Sequence, residues 1–291
     1  MEETPFLAVI GGSGLYEMTG LEDKRELHLS TPFGETSAPI IVGTLENQKV
    51  AFLARHGVGH RLSPSLVPYR ANIYALKTLG VERVVSISAC GSLRDDFAPG
   101  DIVIPDQIFD FTRNRKRTFF DEGLVAHISI ADPFCPDLSA QLHQAVVSSG
   151  GTAHTNGALI TIEGPRFSTR AESNTFRTWG MSIINMSTAP EAFLAREAEM
   201  CYSVMNHVTD YDVWHISEEP VTVEMVIEIL NRNTDLAQQV IRSLIKNITP
   251  TRNCHCGEAL ANALITDPGV ILPETLEKLQ PLVGKYLPLN K

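Results

Sequence analysis

The chain lacks any apolar run long enough to cross a membrane, and it lacks the start of a secreted protein. A transmembrane helix needs about 20 mainly apolar residues, and the apolar segments here are all much shorter. Residues 1–5 (Met-Glu-Glu-Thr-Pro) have neither the basic start nor the apolar centre of a signal peptide. We therefore expect a cytoplasmic protein that has no membrane partner.

Positive charge is scarce, since 24 Lys and Arg face 34 Asp and Glu for a net charge of −10. This balance disfavours non-specific binding to nucleic acid, so we expect no nucleic-acid partner. An anionic substrate would need a locally basic pocket. The one basic run, residues 113–117, could provide such a site, but a short run without interleaved aromatic residues is more typical of a solvated loop.

Cysteine is also scarce, and the five residues are too few and too scattered for a disulfide scaffold. Cys90 lies in an apolar strand pattern, which predicts a small buried residue. Cys254 and Cys256 flank His255, but a zinc site usually takes four ligands, and no second Cys/His pair lies nearby in the sequence. We therefore predict two reduced surface thiols and no metal, with a redox pair as the alternative.

Short apolar segments alternate with helical patterns along the chain. Strands are predicted at 7–10, 40–42, 50–53, 84–89, 102–104 (continuing toward 108), 158–162 and 182–186, and a last one starts with the apolar run at 201–205 and leads to the Asp pair. Helices are predicted at 68–79, 137–149, 169–179, 192–199 and 222–248. This alternation predicts an α/β fold with a mixed, mainly parallel sheet flanked by helices on both faces. Because no repeat or linker interrupts it, we expect one domain over residues 1–291, with a C-terminal helical section from about residue 221.

Polar or small side chains follow several of these predicted strands. A glycine-rich turn around Ser13 could direct backbone N–H groups toward an anion, although it is not the G-x-G-x-x-G pattern of dinucleotide binding. Arg55 and His56 end another strand and offer a guanidinium fork and a second donor for phosphate. Ser88 and Ala89 leave room for a ligand. Since ligands bind at the carboxyl edge of parallel sheets, we predict a site there.

Asp210 and Asp212 follow a buried strand where it gives way to a loop, so both side chains can converge on one target. Neighbouring acids repel each other, and the pKa of one rises until it can hold a proton near neutral pH. Such a pair offers one donor and one acceptor, which matches N7 and the 6-amino group of adenine. For this motif alone, a solvated acidic loop is the alternative.

Taken together, the motifs closely resemble the trimeric purine nucleoside phosphorylase family, and within it the enzymes that act on 5′-methylthioadenosine. The similarity covers about residues 7–230. The segments that carry it are Val9-Ile-Gly-Gly-Ser-Gly-Leu15, Leu53-Ala-Arg-His-Gly57, Ser88-Ala-Cys-Gly-Ser-Leu-Arg94, Pro99-Gly-Asp-Ile-Val103, Ile162-Glu-Gly-Pro-Arg-Phe-Ser168, Arg177-Thr-Trp-Gly180, Asn185-Met-Ser-Thr-Ala-Pro-Glu191 and Thr209-Asp-Tyr-Asp-Val-Trp214.

The resemblance implies a role for each matching residue. The phosphate site would comprise Ser13, Arg55, His56, Ser88 and Ser187. The nucleoside would be bound by Ala89, Phe167, Met186, Asp210 and Asp212, with Val223, Val226 and Ile227 around the methylthio group. The family forms a homotrimer with shared active sites, and His127 matches the position that contributes across the subunit interface.

The implied reaction is reversible phosphorolysis of 5′-methylthioadenosine to adenine and 5-methylthioribose 1-phosphate, with Asp210 and Asp212 as catalytic residues. Inorganic phosphate is a co-substrate, and neither a metal nor an organic cofactor is expected. A purine nucleoside phosphorylase for inosine, guanosine or methylthioinosine is the alternative, and a non-catalytic nucleotide-binding module belongs to a different class. Some relatives oxidise the Cys-x-Cys motif, so disulfides, including Cys135 with Cys201, are an alternative to reduced thiols.

Overall fold

The computed structural model describes residues 4–12, 18–215 and 222–289. Within the last of these ranges, only the backbone is described for residues 225–232. Within these ranges the strands are β1 (Leu7–Gly11), β2 (Glu22–Leu27), β3 (Ser30–Thr31), β4 (Gly34–Glu35), β5 (Ile40–Leu45), β6 (Gln48–Ala54), β7 (Arg83–Ser92), β8 (Ile102–Ile104), β9 (Gln107–Phe111), β10 (Ala153–Thr155), β11 (Ala158–Ile162), β12 (Ile183–Asn185) and β13 (Cys201–Asp210). The helices are α1 (Tyr69–Thr78), α2 (Pro136–Ser148), α3 (Arg170–Thr178), α4 (Thr188–Glu197), α5 (Val223–Asn247) and α6 (Pro273–Val283), besides three short 3₁₀ turns at Pro64–Leu66, Cys256–Glu258 and Pro268–Val270. None of the helices in these ranges combines the length and the apolar content of a membrane span.

One eleven-stranded sheet runs through the protein in the order β10-β8-β13-β7-β1-β6-β5-β2, while β12 pairs with β7 and with β11, and β11 pairs with β9. The central strands β13, β7, β1 and β6 are parallel neighbours. Antiparallel pairs lie on either side, between β13 and β8 and between β6 and β5. The predicted mixed, mainly parallel sheet is confirmed.

Apolar cores cover both faces of this sheet, as the sequence predicts. In β1, Ala8 and Ile10 belong to a core that also contains residues of α1, α4 and α6. Leu7 and Val9 point to the opposite face and pack with residues of α2 and α5. Burying each aliphatic side chain of this kind contributes about 1.5–3 kcal/mol. Strands that are apolar on both faces thus require helices on both faces.

The structure also explains where the predicted elements differ from those observed. The predicted continuation of 102–104 toward 108 is wrong, because Pro105, which has no N–H group, separates β8 from β9. The predicted helix 192–199 starts earlier, at Thr188. Strand β2 was missed because its residues Glu22–Leu27 are almost all exposed and lack an apolar alternation.

The basic run at 113–117 is only partly solvated, so the prediction of a solvated loop is wrong for its central residue. Arg113 and Lys116 are exposed. Arg115 is 6% exposed, and its guanidinium donates hydrogen bonds to the carbonyl oxygens of Ala189 (2.6 Å) and Glu163 (2.8 Å). Arg115 therefore ties this loop to the residues around β11 and α4.

The prediction of surface thiols at Cys254 and Cys256 is wrong for Cys256, which is 2% exposed, and Cys254 is half-buried. Their sulfur atoms meet those of Cys135 and Cys201, which lie far away in the sequence. The five thiols are free, and Cys90 is buried as predicted. A search for ligands close in sequence could not find this cluster, because the fold assembles it from separate segments.

Candidate active site

The carboxyl ends of β6, β1, β7 and β13 follow one another in this order across the sheet and open into a cavity of about 550 Å³. This volume lies within the range of small-molecule sites. Strand β12 runs antiparallel to β7, with Ile184 paired to Gly91. The chain after β12 therefore returns toward Ser88, and this brings the predicted strand-end residues to one cavity.

Most of the predicted site residues line this cavity: Arg55, His56, Ser88, Ala89, Phe167, Met186, Ser187, Asp210, Asp212 and Val223. Ser13 lies outside the described residues, although the preceding Gly12 lines the cavity. Val226 and Ile227 lie on α5, and their side chains are outside the described part of the chain. His127 is exposed and does not line the cavity of its own chain, so its contribution across an interface stays a prediction.

Two serine hydroxyls line the cavity. Ser88 Oγ and Ser187 Oγ lie 3.0 Å apart and share a hydrogen bond. Ser88 comes from β7, and Ser187 is the residue before α4. Because a hydroxyl both donates and accepts, this pair can turn both donors toward an anion when one arrives.

Arg55 lines the same cavity and is held in place by a buried ion pair with Glu191. Its Nε donates to Glu191 Oε2 at 2.9 Å and its Nη2 to Oε1 at 3.1 Å, and both side chains are at most 2% exposed. Burial alone would lower the pKa of Arg55, but the attraction and hydrogen bonds of Glu191 outweigh it and raise the pKa. Nη1 donates to the carbonyl oxygen of Ile87 at 3.1 Å, which leaves its second N–H group for a ligand.

His56 is fixed in one orientation by the backbone. Its Nδ1 lies 2.9 Å from the carbonyl oxygen of Leu62, so Nδ1 carries a proton and donates it. Burial, followed by repulsion from Arg55, lowers the pKa of His56 to about 4. Without a bound anion the ring is therefore neutral near pH 7, and Nε2 is an acceptor suited to the P–OH group of monohydrogen phosphate.

Asp210 and Asp212 also line the cavity, and Asp210 pairs with Gly91, three residues further along β7 than Ser88. The hydroxyl of Thr209 donates to Asp210 Oδ2 at 2.5 Å, and the backbone N–H of Asp212 donates to Asp210 Oδ1 at 2.7 Å. Asp212 has φ of 52°, so the chain leaves its extended path and both carboxyl groups reach the same cavity. Burial, together with the nearby charge of Asp212, raises the pKa of Asp210 to about 6 despite these hydrogen bonds.

Asp212 presents an acceptor that the protein itself leaves unmatched. Its Oδ2 is buried and has no hydrogen-bond partner among the described residues, and the same holds for Ser168 Oγ, which lines the same cavity. Burial raises the pKa of Asp212, against the opposite effect of the nearby Ser173 and Ser168 hydroxyls, which do not reach hydrogen-bond geometry with Oδ2. Leaving a buried polar atom unpaired costs about 1–3 kcal/mol, so these atoms favour a ligand that brings hydrogen-bond donors.

Gly91 makes room for the acid pair. A Cβ atom at this position would lie 2.9 Å from Asp210 Oδ1 and 3.2 Å from Asp212 Cβ. Next to it, the pairing of β13 with β7 is irregular between Val208 and Asp210. This irregularity reorients the end of β13, and the absence of a side chain at Gly91 lets both carboxyl groups approach the sheet.

Several lining residues were missed by reasoning from strand ends. Ser168 directly follows Phe167 in the segment Ile162–Ser168, so its position in the sequence could have identified it. His207 lies inside β13, is 1% exposed, and has a pKa lowered to about 4 by burial. Asn233 and Thr234 come from the middle of the long helix α5. A helix side chain gives no local signal that it faces a site at the sheet edge.

The cavity thus combines a guanidinium group and hydroxyl groups with a pair of carboxyl groups. The family model described as the phosphorylase superfamily matches residues 6–246, and the chain belongs to this family. It is 51% identical over 282 residues to the S-methyl-5′-thioadenosine phosphorylase of Geobacter sulfurreducens, with 97% of this chain and 99% of that protein covered. The corresponding protein of Chloroflexus aurantiacus is 50% identical over 281 residues, with 96% and 98% covered.

Solved structures show the same relationship. A methylthioadenosine phosphorylase sourced from an antarctic soil metagenomic library superposes with a TM-score of 0.92 at 47% identity, covering 96% of this chain and 99% of that one. The methylthioadenosine phosphorylase from Schistosoma mansoni, in complex with adenine, gives a TM-score of 0.80 at 35% identity, covering 83% and 91%. The resemblance seen in the sequence motifs is therefore confirmed.

Proposed function

We propose that the protein catalyses the reversible phosphorolysis of 5′-methylthioadenosine to adenine and 5-methylthio-α-D-ribose 1-phosphate, which makes it a pentosyltransferase. The observation that carries the proposal is the arrangement of one cavity, which is lined by Arg55, two serine hydroxyls and two carboxyl groups. Relatives about half identical over nearly the whole chain carry the name of this activity.

Phosphate binds at the cationic end. Arg55 supplies a fixed positive charge, and Ser88 and Ser187 donate hydroxyl hydrogen bonds. His56 either accepts a hydrogen bond from the anion or becomes protonated next to it. Ser13 belongs to the same proposed set by its sequence motif. A dianion held here stabilises the cationic ribosyl centre and then forms the C1′–O bond. Because phosphate itself is the nucleophile, the proposed reaction requires neither a metal nor an organic cofactor.

Adenine leaves at the acidic end. As the C1′–N9 bond breaks, its electron pair moves into the purine ring, and Asp210 donates a proton to N7. Asp212 and Ser168 accept hydrogen bonds from the 6-amino group, which gives the unmatched Asp212 Oδ2 and Ser168 Oγ their partners. The raised pKa of Asp210, about 6, lets a fraction of the enzyme hold this proton near neutral pH.

The middle of the cavity accommodates the sugar, and its open side supports a shared site. Met186 lines the ribose region, and Phe167 lies where it can contact the purine. Phe167 is 38% exposed and Val223 is 57% exposed, although both line the cavity. In the proposed homotrimer a neighbouring subunit, including its copy of His127, covers this apolar side around the methylthio group.

A phosphate-dependent base-release assay tests the proposal. Purified protein is incubated with 5′-methylthioadenosine, adenosine, inosine or methylthioinosine, with and without phosphate, and the free base is quantified by chromatography. We expect release that requires phosphate and is fastest with 5′-methylthioadenosine. A 6-oxo purine presents a hydrogen-bond acceptor where adenine presents a donor. The rate of base release should therefore differ greatly between the two kinds of substrate. Faster release from either 6-oxo nucleoside would favour the alternative purine nucleoside phosphorylase, and adenine binding without turnover would favour a binding module.

A further inference from the structure

Four of the five cysteines form one compact cluster away from the active site. The Sγ atoms of Cys135, Cys201, Cys254 and Cys256 all lie within 4.8 Å of one another, and the Sγ atoms of Cys201 and Cys254 are 3.4 Å apart. Three of these residues are buried, and Cys254 is half-buried. Four mutually close thiols are an unusual arrangement for reduced side chains that serve only as core packing.

The cluster joins three separate parts of the chain. Cys135 is the N-cap of α2, and Cys201 is the first residue of β13. Cys254 and Cys256 belong to the segment after α5 and pack in the same core as Cys135 and Cys201. Their neighbour His255 has a fully solvated side chain (99% exposed), so it points away from the sulfur atoms. The sulfur atoms therefore form a closed set of four.

The surroundings of the cluster suit negatively charged sulfur. The backbone N–H of Leu138 donates to Cys135 Sγ at 3.4 Å at the start of α2, where the helix dipole favours a thiolate. Arg196 Nη1 lies 3.6 Å from Cys256 Sγ in a hydrogen bond, and Arg252 is close enough to Cys201 to interact with it electrostatically. Two guanidinium groups thus lie near the sulfur atoms, and that of Arg252 also pairs with Glu82 at 3.2 Å.

We propose that Cys135, Cys201, Cys254 and Cys256 bind one structural Zn²⁺ ion as a tetrahedral tetrathiolate site. Zinc–sulfur bonds of about 2.3 Å in a tetrahedron place the sulfur atoms about 3.8 Å apart, so each pair here needs to move by about 1 Å or less. A Zn²⁺ ion with four thiolates carries a net charge of −2, which Arg196 and Arg252 offset. The ion is separate from the phosphorolysis reaction and revises the expectation of no metal.

The four-way geometry favours zinc over disulfides. A disulfide needs only two sulfur atoms to approach, whereas this cluster brings every sulfur atom near the other three. Hydrogen bonds from a backbone N–H and a guanidinium to the sulfur atoms are the outer-shell contacts that orient metal-bound thiolates. A bound ion would fasten the segment after α5 to the start of β13, the strand whose other end carries Asp210.

Metal content is the direct test. The full chain is expressed with added zinc, purified under reducing conditions and desalted, and zinc per chain is measured by plasma mass spectrometry. We expect close to one zinc per chain in the wild type and in two controls, His255→Ala and Cys90→Ser. The ligand variants Cys254→Ser and Cys256→Ser should lose zinc on the order of tenfold or more. Arg196→Met should keep the four ligands but weaken zinc affinity by about 10–100-fold.

Two further measurements use the unaltered protein, so that poor folding of a variant cannot decide the outcome. Removal of zinc with a chelator should lower the melting temperature, and added Zn²⁺ should restore it. Co²⁺ added to the metal-free chain should give the intense visible absorption of tetrahedral cobalt thiolate. A reduced wild-type chain that retains no more zinc than Cys254→Ser would overturn the proposal, as would intact masses that show disulfides in the cluster without zinc. Both results are independent of phosphorolysis, so the two proposals fail separately.

Discussion

The backbone N–H of Asp212 donates a hydrogen bond to Oδ1 of Asp210 over 2.7 Å. This contact fixes the two carboxyl groups relative to each other at the end of β13. It also divides their roles, because Asp210 already accepts two hydrogen bonds from the protein, whereas Asp212 Oδ2 accepts none from the described residues. Asp210 is thus suited to hold a proton, and Asp212 is suited to accept hydrogen bonds from a ligand.

The buried carboxyl of Asp210 should make stability depend on pH. Its pKa in the folded protein, about 6, lies above the ordinary value of 3.8. The folded state therefore favours the protonated form, and this stabilisation is complete below about pH 3.8 and is lost as the pH rises through 6. The side chain in Asp210→Asn is neutral at every pH, so this variant does not lose stability in this way as the pH rises.

We therefore expect the melting temperature of Asp210→Asn, relative to the wild type, to increase between about pH 4 and 6 and to stay constant at higher pH. Differential scanning calorimetry across this range measures the difference directly. The exposed residue Glu122 provides the control variant Glu122→Gln, whose difference from the wild type should stay flat. Parallel curves for Asp210→Asn and the wild type would show that this carboxyl has no raised pKa.

The serine pair should control phosphate binding. Ser88→Ala and Ser187→Ala each remove a hydroxyl that, in the proposed reaction, donates to the anion, and a hydrogen bond to a charged group is worth about 1.5–3 kcal/mol. The KM for phosphate should rise by roughly 10–100-fold in each variant, with a much smaller change in the KM for 5′-methylthioadenosine. Steady-state kinetics with each substrate varied in turn makes the comparison.

Ser148, an exposed serine on α2, supplies the control variant Ser148→Ala, which should leave both constants unchanged. If Ser88→Ala and Ser187→Ala raised the nucleoside KM and left the phosphate KM alone, the assignment of this end of the cavity would be wrong.

Glu191 should be important for stability because it neutralises the buried Arg55. Glu191→Gln leaves a guanidinium charge in a site where the pair is at most 2% exposed. Breaking one side of a buried ion pair costs about 3–5 kcal/mol in the free energy of unfolding. Urea unfolding should show this loss, whereas Asp96→Asn, which breaks the exposed pair with Arg94, should cost less than about 1 kcal/mol. Equal effects of the two substitutions would contradict the structure.

Gly91 should be required for the geometry of the acid pair. In Gly91→Ala the new methyl group would push against Asp210 and Asp212. A misplacement of about 1 Å in reacting groups costs on the order of 10²-fold in rate. We expect kcat to fall by this order while the protein stays folded by circular dichroism. Gly269→Ala, where a Cβ meets only an ordinary contact at 3.4 Å, should keep wild-type activity.

The sequence predicted those parts of the site that strand ends determine. Strands β6, β1, β7 and β13 run parallel, so Arg55, Ser88 and Asp210 lie toward the same edge of the sheet. The predicted end of the strand 84–89 is nevertheless too early, because β7 continues to Ser92. Conversely, Asn233 lies on a helix and the cysteine cluster joins distant segments. Such proximity depends on how helices and loops pack onto the sheet, and local patterns in one sequence carry no information about it.

The acid assignment of Asp210 is the central claim, and kcat/KM of Asp210→Asn with 5′-methylthioadenosine at saturating phosphate tests it most directly. Asparagine keeps the size of the side chain but has no carboxyl proton to deliver to N7. Loss of a general acid typically costs about 10²–10⁴ in rate, so kcat/KM should fall by that factor while phosphate KM changes little. A value of kcat/KM near that of the wild type would contradict the account.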